Sequence, residues 1–436
     1  MHGQTRIRVV FDGNEQDHTM TNARITTDVL IIGAGPSGSI AAANLHRLGH
    51  QVLVLERETF PRFSIGESLL PHCMSFIEEA GLLPAVKACD FQFKNGAAFR
   101  REDVYTWFDF EDKFSPGPGT TFQVERARFD KALADGAAEQ GVEIRYRHTI
   151  TAVDTSGELA LVSYVDGDGN TGEVACKFVL DASGFGRVLP RLLDLEAPSN
   201  FPVRQAVFTH VRDNIFPAEF DRNKILITVH PQEKDIWFWL IPFSDGRCSM
   251  GVVGTQEKLA RHKSDDLISQ LKAFVAEVPE LAHLLRNAEY CFQSREIVGY
   301  AAKVKALAGD KFALLGNAGE FLDPVFSSGV TIAMRSASIA SKVLDRQLRG
   351  ETVDWQTGYA QPLRRGIETF RVFVEAWYDG RFQDIIFYPD PSANVRRMIS
   401  AILAGYAWDT DNPYVAEPVR RMNALADFCR QPGTVA

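Results

Sequence analysis

The stretch Asp28-Val-Leu-Ile-Ile-Gly33-Ala-Gly35-Pro-Ser-Gly38, together with the residues as far as Glu56, decides the fold. Val29 to Ile32 is an apolar run of buried-strand length, bounded at once by a GxGxxG turn. A helical pattern then runs through Ala41, Ala42, Ala43, Leu45 and Leu48 until Gly49 stops it. A second apolar run, Val52-Leu-Val-Leu55, ends in Glu56. Strand, glycine turn, helix, strand and terminal acid fit the ~30 residues of a dinucleotide-binding βαβ unit. Gly33 permits the tight turn, Gly35 lets backbone N–H groups approach a pyrophosphate, and Gly38 lets the helix pack on the strand. The helix N-terminus adds partial positive charge, and Glu56 can accept hydrogen bonds from ribose hydroxyls. Two other glycine-rich stretches, around Gly117 and around Gly169, follow no apolar strand and open no helix, so they read as turns. The pattern predicts one bound dinucleotide.

Working outward, Lys177-Phe-Val-Leu-Asp181 and Phe312-Ala-Leu-Leu-Gly316 read as further strands of the same domain. The second leads through Asp323-Pro-Val-Phe-Ser-Ser-Gly329 into a helix from Val330 to about Leu348. Between them lie strand-like runs such as Lys224-Ile-Leu-Ile-Thr-Val229 and Trp237-Phe-Trp-Leu-Ile241. The expected architecture is α/β. A discontinuous Rossmann-like domain (26–95, 120–200 and 295–350) is interrupted by a mainly antiparallel β-sheet domain on the substrate side (96–119 and 201–294). A helical, aromatic-rich C-terminal cover (351–436) closes it. Residues 1–25 are polar and aperiodic and read as a disordered extension.

Composition narrows the function. Of 436 residues, 45% are hydrophobic and 24% charged, which excludes wholesale disorder. The 47 basic and 56 acidic residues leave a net charge of −9, a poor balance for wrapping nucleic acid or anionic lipid. The longest apolar candidate, Val29 to Leu45, is broken by Gly, Pro and Ser and does not read as a membrane span. The six cysteines form no CxxC pair and show no zinc-ligand spacing with histidine, so no metal site is expected. Met1 to Met20 has no apolar signal core. The expected compartment is the cytoplasm, with reduced thiols.

Four segments carry a resemblance: Gly33 to Gly38, Gly66-Glu-Ser-Leu-Leu-Pro71, Trp237-Phe-Trp-Leu-Ile-Pro242 and Phe321-Leu-Asp-Pro-Val-Phe-Ser-Ser-Gly-Val330. From about Thr26 to Val415 the chain resembles the flavin-dependent halogenases of the phenol- and pyrrole-type branch. These are p-hydroxybenzoate-hydroxylase-like flavoproteins. The resemblance implies FAD, held at its nucleotide end by Gly33, Ala34, Gly35, Ser37, Gly38, Glu56 and Arg57. It implies further cofactor contacts from Gly66, Glu67, Arg126, Asp181 and Asn317. Ser328 and Gly329, at a helix start that favours an anion, would approach the flavin ring and hold chloride or bromide. Lys94, in Phe91-Gln-Phe-Lys-Asn-Gly-Ala-Ala-Phe99, matches the stretch around the family's active-site lysine.

The implied reaction combines FADH2, O2 and halide into hypohalous acid, which Lys94 delivers to an electron-rich aromatic ring, phenolic or pyrrole-like. The substrate would be free or tethered to an acyl or peptidyl carrier protein, and a separate flavin reductase would supply FADH2. Trp237 and Trp239, at i and i+2 on a strand, point to one face and would keep organic substrate off the flavin.

Each motif also has a plainer reading. Lys-Asn-Gly is ordinary turn chemistry with a solvated lysine. The tryptophans are core anchors, Ser328 and Gly66 to Ser68 are capping turns, and Arg126 is a solvated charge at a helix start. His72 reads as structural. Phe370, Phe373 and Trp377 form a helical stripe that is usually core. Two departures from the family stand out. Asn317 replaces an Asp that binds the ribityl chain, and Arg100-Arg101 stands where relatives carry an aromatic. The rival activities are a non-halogenating FAD-dependent monooxygenase and a geranylgeranyl-reductase-like oxidoreductase on the same fold. A catalytically silent flavoprotein scaffold is a third reading.

Overall fold

The structure is a computed structural model that describes residues 24–431. The extension expected at 1–25 therefore lies almost wholly outside the described residues. Ile25–Ile32 is the centre of a sheet whose order is Ala308–Gly309, Phe312–Leu314, Thr171–Asp181, Ile25–Ile32, Val52–Leu55, Glu143–Arg145. Apart from the antiparallel edge strand Ala308–Gly309, these neighbours pair in parallel. A parallel sheet is covered on both faces, and Val29, Leu30 and Ile31 are accordingly inaccessible to solvent.

The helix Pro36–Arg47 covers one face, with proline in its first turn and every residue from Pro36 to Leu45 buried. It packs on the long helix Ser328–Leu348. This packing requires glycine at 38, because a Cβ there would lie 1.9 Å from the Gly33 carbonyl oxygen.

The second sheet runs Arg295–Val298, Arg204–Arg212, Arg247–Thr255, Trp237–Pro242, Lys224–Val229, Gly96–Arg101, Val104–Asp109. Every pairing is antiparallel except Lys224–Val229 with Gly96–Arg101. Its outermost strand lies just beyond the boundary expected at 294. Arg295–Val298 alternates half-buried and exposed positions, and so lacked the apolar run that marks the other strands.

Both faces of the sheet are covered, which explains why Trp237–Pro242 is apolar throughout. Phe238 and Leu240 join Leu271, Phe274 and Leu281 in one core, while Trp237, Trp239 and Ile241 face the other. Of the C-terminal helices, Gln361–Tyr378 packs on the long helix, Arg381–Ile386 and Pro418–Cys429 pack on Gln361–Tyr378 and on each other, and Ala393–Leu403 packs on the strand Val104–Asp109. Their aromatic stripe is core: Phe370, Phe373 and Trp377 are at most 1% exposed. No helix among the described residues is long and apolar enough to cross a membrane.

Candidate active site

A cleft of about 910 Å³ opens between the C-terminal ends of the parallel strands and the inner face of the second sheet. Ligand pockets span ~300–1,000 Å³, so the cleft suits a dinucleotide. Among the residues singled out from sequence, Gly33, Gly35, Ser37, Glu56, Arg57, Gly66, Glu67, Arg126, Asn317 and Gly329 line it.

The nucleotide end is tied together through Glu56, whose carboxylate accepts the Ala34 N–H (2.8 Å) and the Glu58 N–H (3.0 Å). Each carboxylate oxygen keeps a free lone pair, so ribose hydroxyls can still be accepted. Ala34 and Gly38 act one layer back, in the turn and the helix packing. Asp181 also lies behind the cleft and not on its surface. Its fully buried carboxylate accepts the backbone N–H groups of Ser183 (2.9 Å) and Leu189 (2.7 Å), and burial pushes its pKa up. It shapes the turn that lines the cleft.

In the middle of the cleft Arg126 is no solvated charge. Its guanidinium grips both oxygens of the fully buried Asp130 (2.7 and 3.0 Å) and donates to the Ile65 carbonyl. Arg62 donates to the same carboxylate at 3.2 Å. Asp130 thus anchors the loop carrying Gly66, Glu67 and Ser68. Sequence reasoning missed it, although the i, i+4 spacing from Arg126 was available. It also missed His210, which pairs with the buried Glu67 at 2.7 Å and had no local signal at all.

At the far end Trp237, Trp239, Ile241, Phe208 and Ile225 form an apolar wall. Opposite them stand Pro324, Ser327, Gly329 and Val330, where the long helix begins. Ser328 itself is 2% exposed and does not line the cleft; its neighbours do. The backbone N–H groups of this helix start are oriented to favour an anion. The turn at one end, the apolar slot at the other and the helix starts at both suit FAD.

Lys94 is 1% exposed, which excludes the solvated-turn reading. It ends the short strand Gln92–Lys94, and its Nζ donates to Ser68 Oγ (2.8 Å) and to the Leu69 carbonyl (2.7 Å). Phe110 lies under it at 5.5 Å. With no carboxylate beside it, burial lowers its pKa to about 7. Lys94 does not line the cleft, but Ser68 does. The serine hydroxyl therefore joins the lysine to the cleft.

Of the two departures, Asn317 remains at the cleft surface. Arg100 stacks over Tyr105 (5.3 Å) and lines a smaller cavity of about 560 Å³. Arg101 turns to the opposite face, over Phe387 at 4.6 Å. His72 is structural: it stacks on Tyr406 (4.5 Å), bonds the Gly405 carbonyl (2.9 Å), and burial lowers its pKa to about 4. Among the described residues no His, Cys, Asp and Glu group is placed to hold a metal ion.

Fold and cleft define a dinucleotide-binding flavoprotein scaffold, and the FAD binding domain family matches residues 26–364. A flavin-dependent halogenase of Armillaria mellea is 30% identical, over 93% of this chain and 85% of its own length. A chlorinase of 1H-pyrrole-2-carbonyl peptidyl-carrier protein from Pseudomonas fluorescens is 27% identical, over 92% of this chain and 94% of its own. Among solved structures, a flavoprotein/dehydrogenase from Cytophaga hutchinsonii superposes with a TM-score of 0.90 at 42% identity, covering 93% of this chain and 99% of that one. The chain belongs to the FAD-dependent enzymes of the flavin-dependent halogenase family.

Proposed function

We propose that this enzyme halogenates an electron-rich aromatic ring, phenolic or pyrrole-like, using FADH2, O2 and chloride or bromide. The observation that carries the reading is a buried lysine with a depressed pKa, joined to the cofactor cleft through one serine hydroxyl. Bound FAD, once reduced, supplies with O2 and halide the hypohalous acid.

The protein's own groups do the rest. The glycine turn and Glu56 hold the nucleotide end. The helix start at Ser327 to Gly329 presents N–H groups to the halide. Trp237, Trp239 and Ile241 exclude water and organic substrate from the ring end. Lys94, dry and near neutrality, hydrogen-bonds the electrophile or carries it as a haloamine to one ring carbon. The chlorinase relative acts on a pyrrole tethered to a carrier protein, and this chain takes either that kind of substrate or a free one. A separate flavin reductase supplies FADH2, since the sequence carries one dinucleotide unit.

The test is a panel of free and carrier-bound phenols and pyrroles, with a generic flavin reductase and mass spectrometry of the products. Wild type should halogenate at least one, and Lys94→Ala should keep bound FAD and its reoxidation yet give no halogenated product. Undiminished halogenation by that variant would sink the lysine's role.

The neighbour named a flavoprotein/dehydrogenase favours a second reading, a non-halogenating FAD-dependent monooxygenase or a reductase of the geranylgeranyl type. Turnover unchanged when a non-reactive anion replaces chloride and bromide would establish it.

A further inference from the structure

Behind Trp237 of the apolar wall sits a polar cluster to which the proposed reaction assigns no role. Trp237 donates its indole N–H to Tyr378 Oη (3.0 Å), and Tyr378 donates in turn to Asp323 Oδ2 (2.9 Å). Tyr300 donates to the same oxygen (3.1 Å), while Asp323 Oδ1 accepts the Val325 N–H (3.0 Å). The Arg204 guanidinium carbon lies 3.3 Å above the Tyr378 ring, and its Nε has no hydrogen-bond partner. Asp323, Arg204, Tyr300 and Trp237 are all more than nine-tenths buried.

Such a cluster is costly. Each group loses its water, and an aspartate in an otherwise apolar wall is tolerated only when its acceptors are filled. Phenylalanines at 300 and 378 with an apolar residue at 323 would close the same space without that penalty. What the polar groups add is direction. An indole with its N–H bonded cannot rotate freely, and the chain Trp237–Tyr378–Asp323 fixes that bond from behind. The same aspartate precedes Pro324, which lines the opposite side of the cleft.

We propose that Asp323 is a positioning residue: through Tyr378 it locks the Trp237 indole against the ring end of the cleft, where that indole keeps organic substrate away from the flavin. The inference rests on the halogenase reading and deepens it. The groups facing the carboxylate are Arg204 from the second sheet, Tyr300 from the segment after it and Tyr378 from the C-terminal helix. Burial raises the Asp323 pKa to about 6 against the pull of Arg204 and the hydrogen bonds. Above about pH 6 the ionised carboxylate accepts from both phenols. Below it, the proton occupies an acceptor site and the lock loosens.

The test compares wild type with Asp323→Asn, Tyr378→Phe and Tyr300→Phe, first without FAD. Tryptophan fluorescence is read from pH 5 to 8, with Trp237→Phe as the reference that isolates the indole. Wild type should show a transition near pH 6. Asp323→Asn and Tyr378→Phe should each shift the Trp237 signal and abolish that transition. Tyr300→Phe, which does not touch the indole, should retain the transition at a displaced midpoint.

Loaded with FADH2, Asp323→Asn and Tyr378→Phe should give about a tenfold fall in halogenated product per flavin oxidised, the equivalent of one buried hydrogen bond. Their double variant should be no worse than either single one, because both act on one chain of bonds. A wild-type Trp237 signal and pH response in Asp323→Asn would overturn the proposal, as would wild-type coupling. Absence of halogenation by wild type would instead overturn the reading beneath it, and the fluorescence result would still judge the lock.

Discussion

The two ends of the cleft are built from different materials. At the nucleotide end the working groups are backbone: a glycine turn, a helix start and one acid that braces them. At the proposed ring end they are side chains from distant segments, among them the buried Lys94, Asp323 and tryptophans and the half-buried Tyr378. Backbone sites need residues close together in sequence, whereas side-chain sites need distant segments to meet. Damage to the first should remove the cofactor, and damage to the second should leave the cofactor and spoil its use.

Lys94→Met should break that comparison most clearly. Methionine fills the volume without the amine. Halogenated product should fall by a factor of about 100 or more, the scale of losing a positioned proton-handling group. Flavin absorbance should hold, and the denaturant midpoint should fall only slightly, because removing a buried amine offsets the Leu69 carbonyl left without its donor. Lost flavin in this variant would mean that the two ends are not separable.

Asp130→Ala is the converse experiment in the middle of the cleft. It leaves Arg126, and in part Arg62, without their buried acceptor. Removing one partner of such a pair costs about 3–5 kcal/mol. Urea unfolding should show that loss, with weakened flavin retention as the Gly66 loop is released. Glu56→Gln should be milder, weakening FAD by about 10- to 100-fold through one hydrogen bond to a charged acceptor. Equilibrium titration of the apoprotein with FAD measures it, and product formed per bound flavin should not change.

The same division governs what could be read from sequence. The nucleotide end was legible because Gly33 to Glu56 is one local unit, with spacing dictated by the turn, the helix and the second strand. Lys94 was legible as a residue and not as an environment. Nothing in Lys-Asn-Gly signals that the lysine, 1% exposed, ends a short strand paired with Thr121–Gln123 and turns its amine to Ser68 and the Leu69 carbonyl. The partners at the ring end were hidden by separation. Glu67 meets His210 across 143 residues and Trp237 meets Tyr378 across 141. No periodicity connects positions so far apart; only the sheet register and the helix packing do. Asp181 is the opposite case. The resemblance implies a cofactor contact there, whereas the carboxylate is fully buried behind the cleft and braces the Ser183 and Leu189 N–H groups.

The smallest expected effect probes the junction between the ends. Ser68 lines the cleft and accepts from Lys94, so Ser68→Ala removes one of the two acceptors on Nζ and leaves the Leu69 carbonyl. An ammonium is a stronger donor than an amine, so the lost bond destabilises the charged form more. The Lys94 pKa, already lowered to about 7 by burial, must then move lower still. One hydrogen bond of about 1 kcal/mol corresponds to somewhat less than one pH unit. The pH profile of product formation should show its Lys94 limb displaced to lower pH by that amount, with flavin binding unchanged. Ser68→Thr, which keeps the hydroxyl, should restore the wild-type position. A limb that stays near 7 in Ser68→Ala would mean that burial alone sets the lysine, and that the cleft and the amine are not coupled through this hydroxyl.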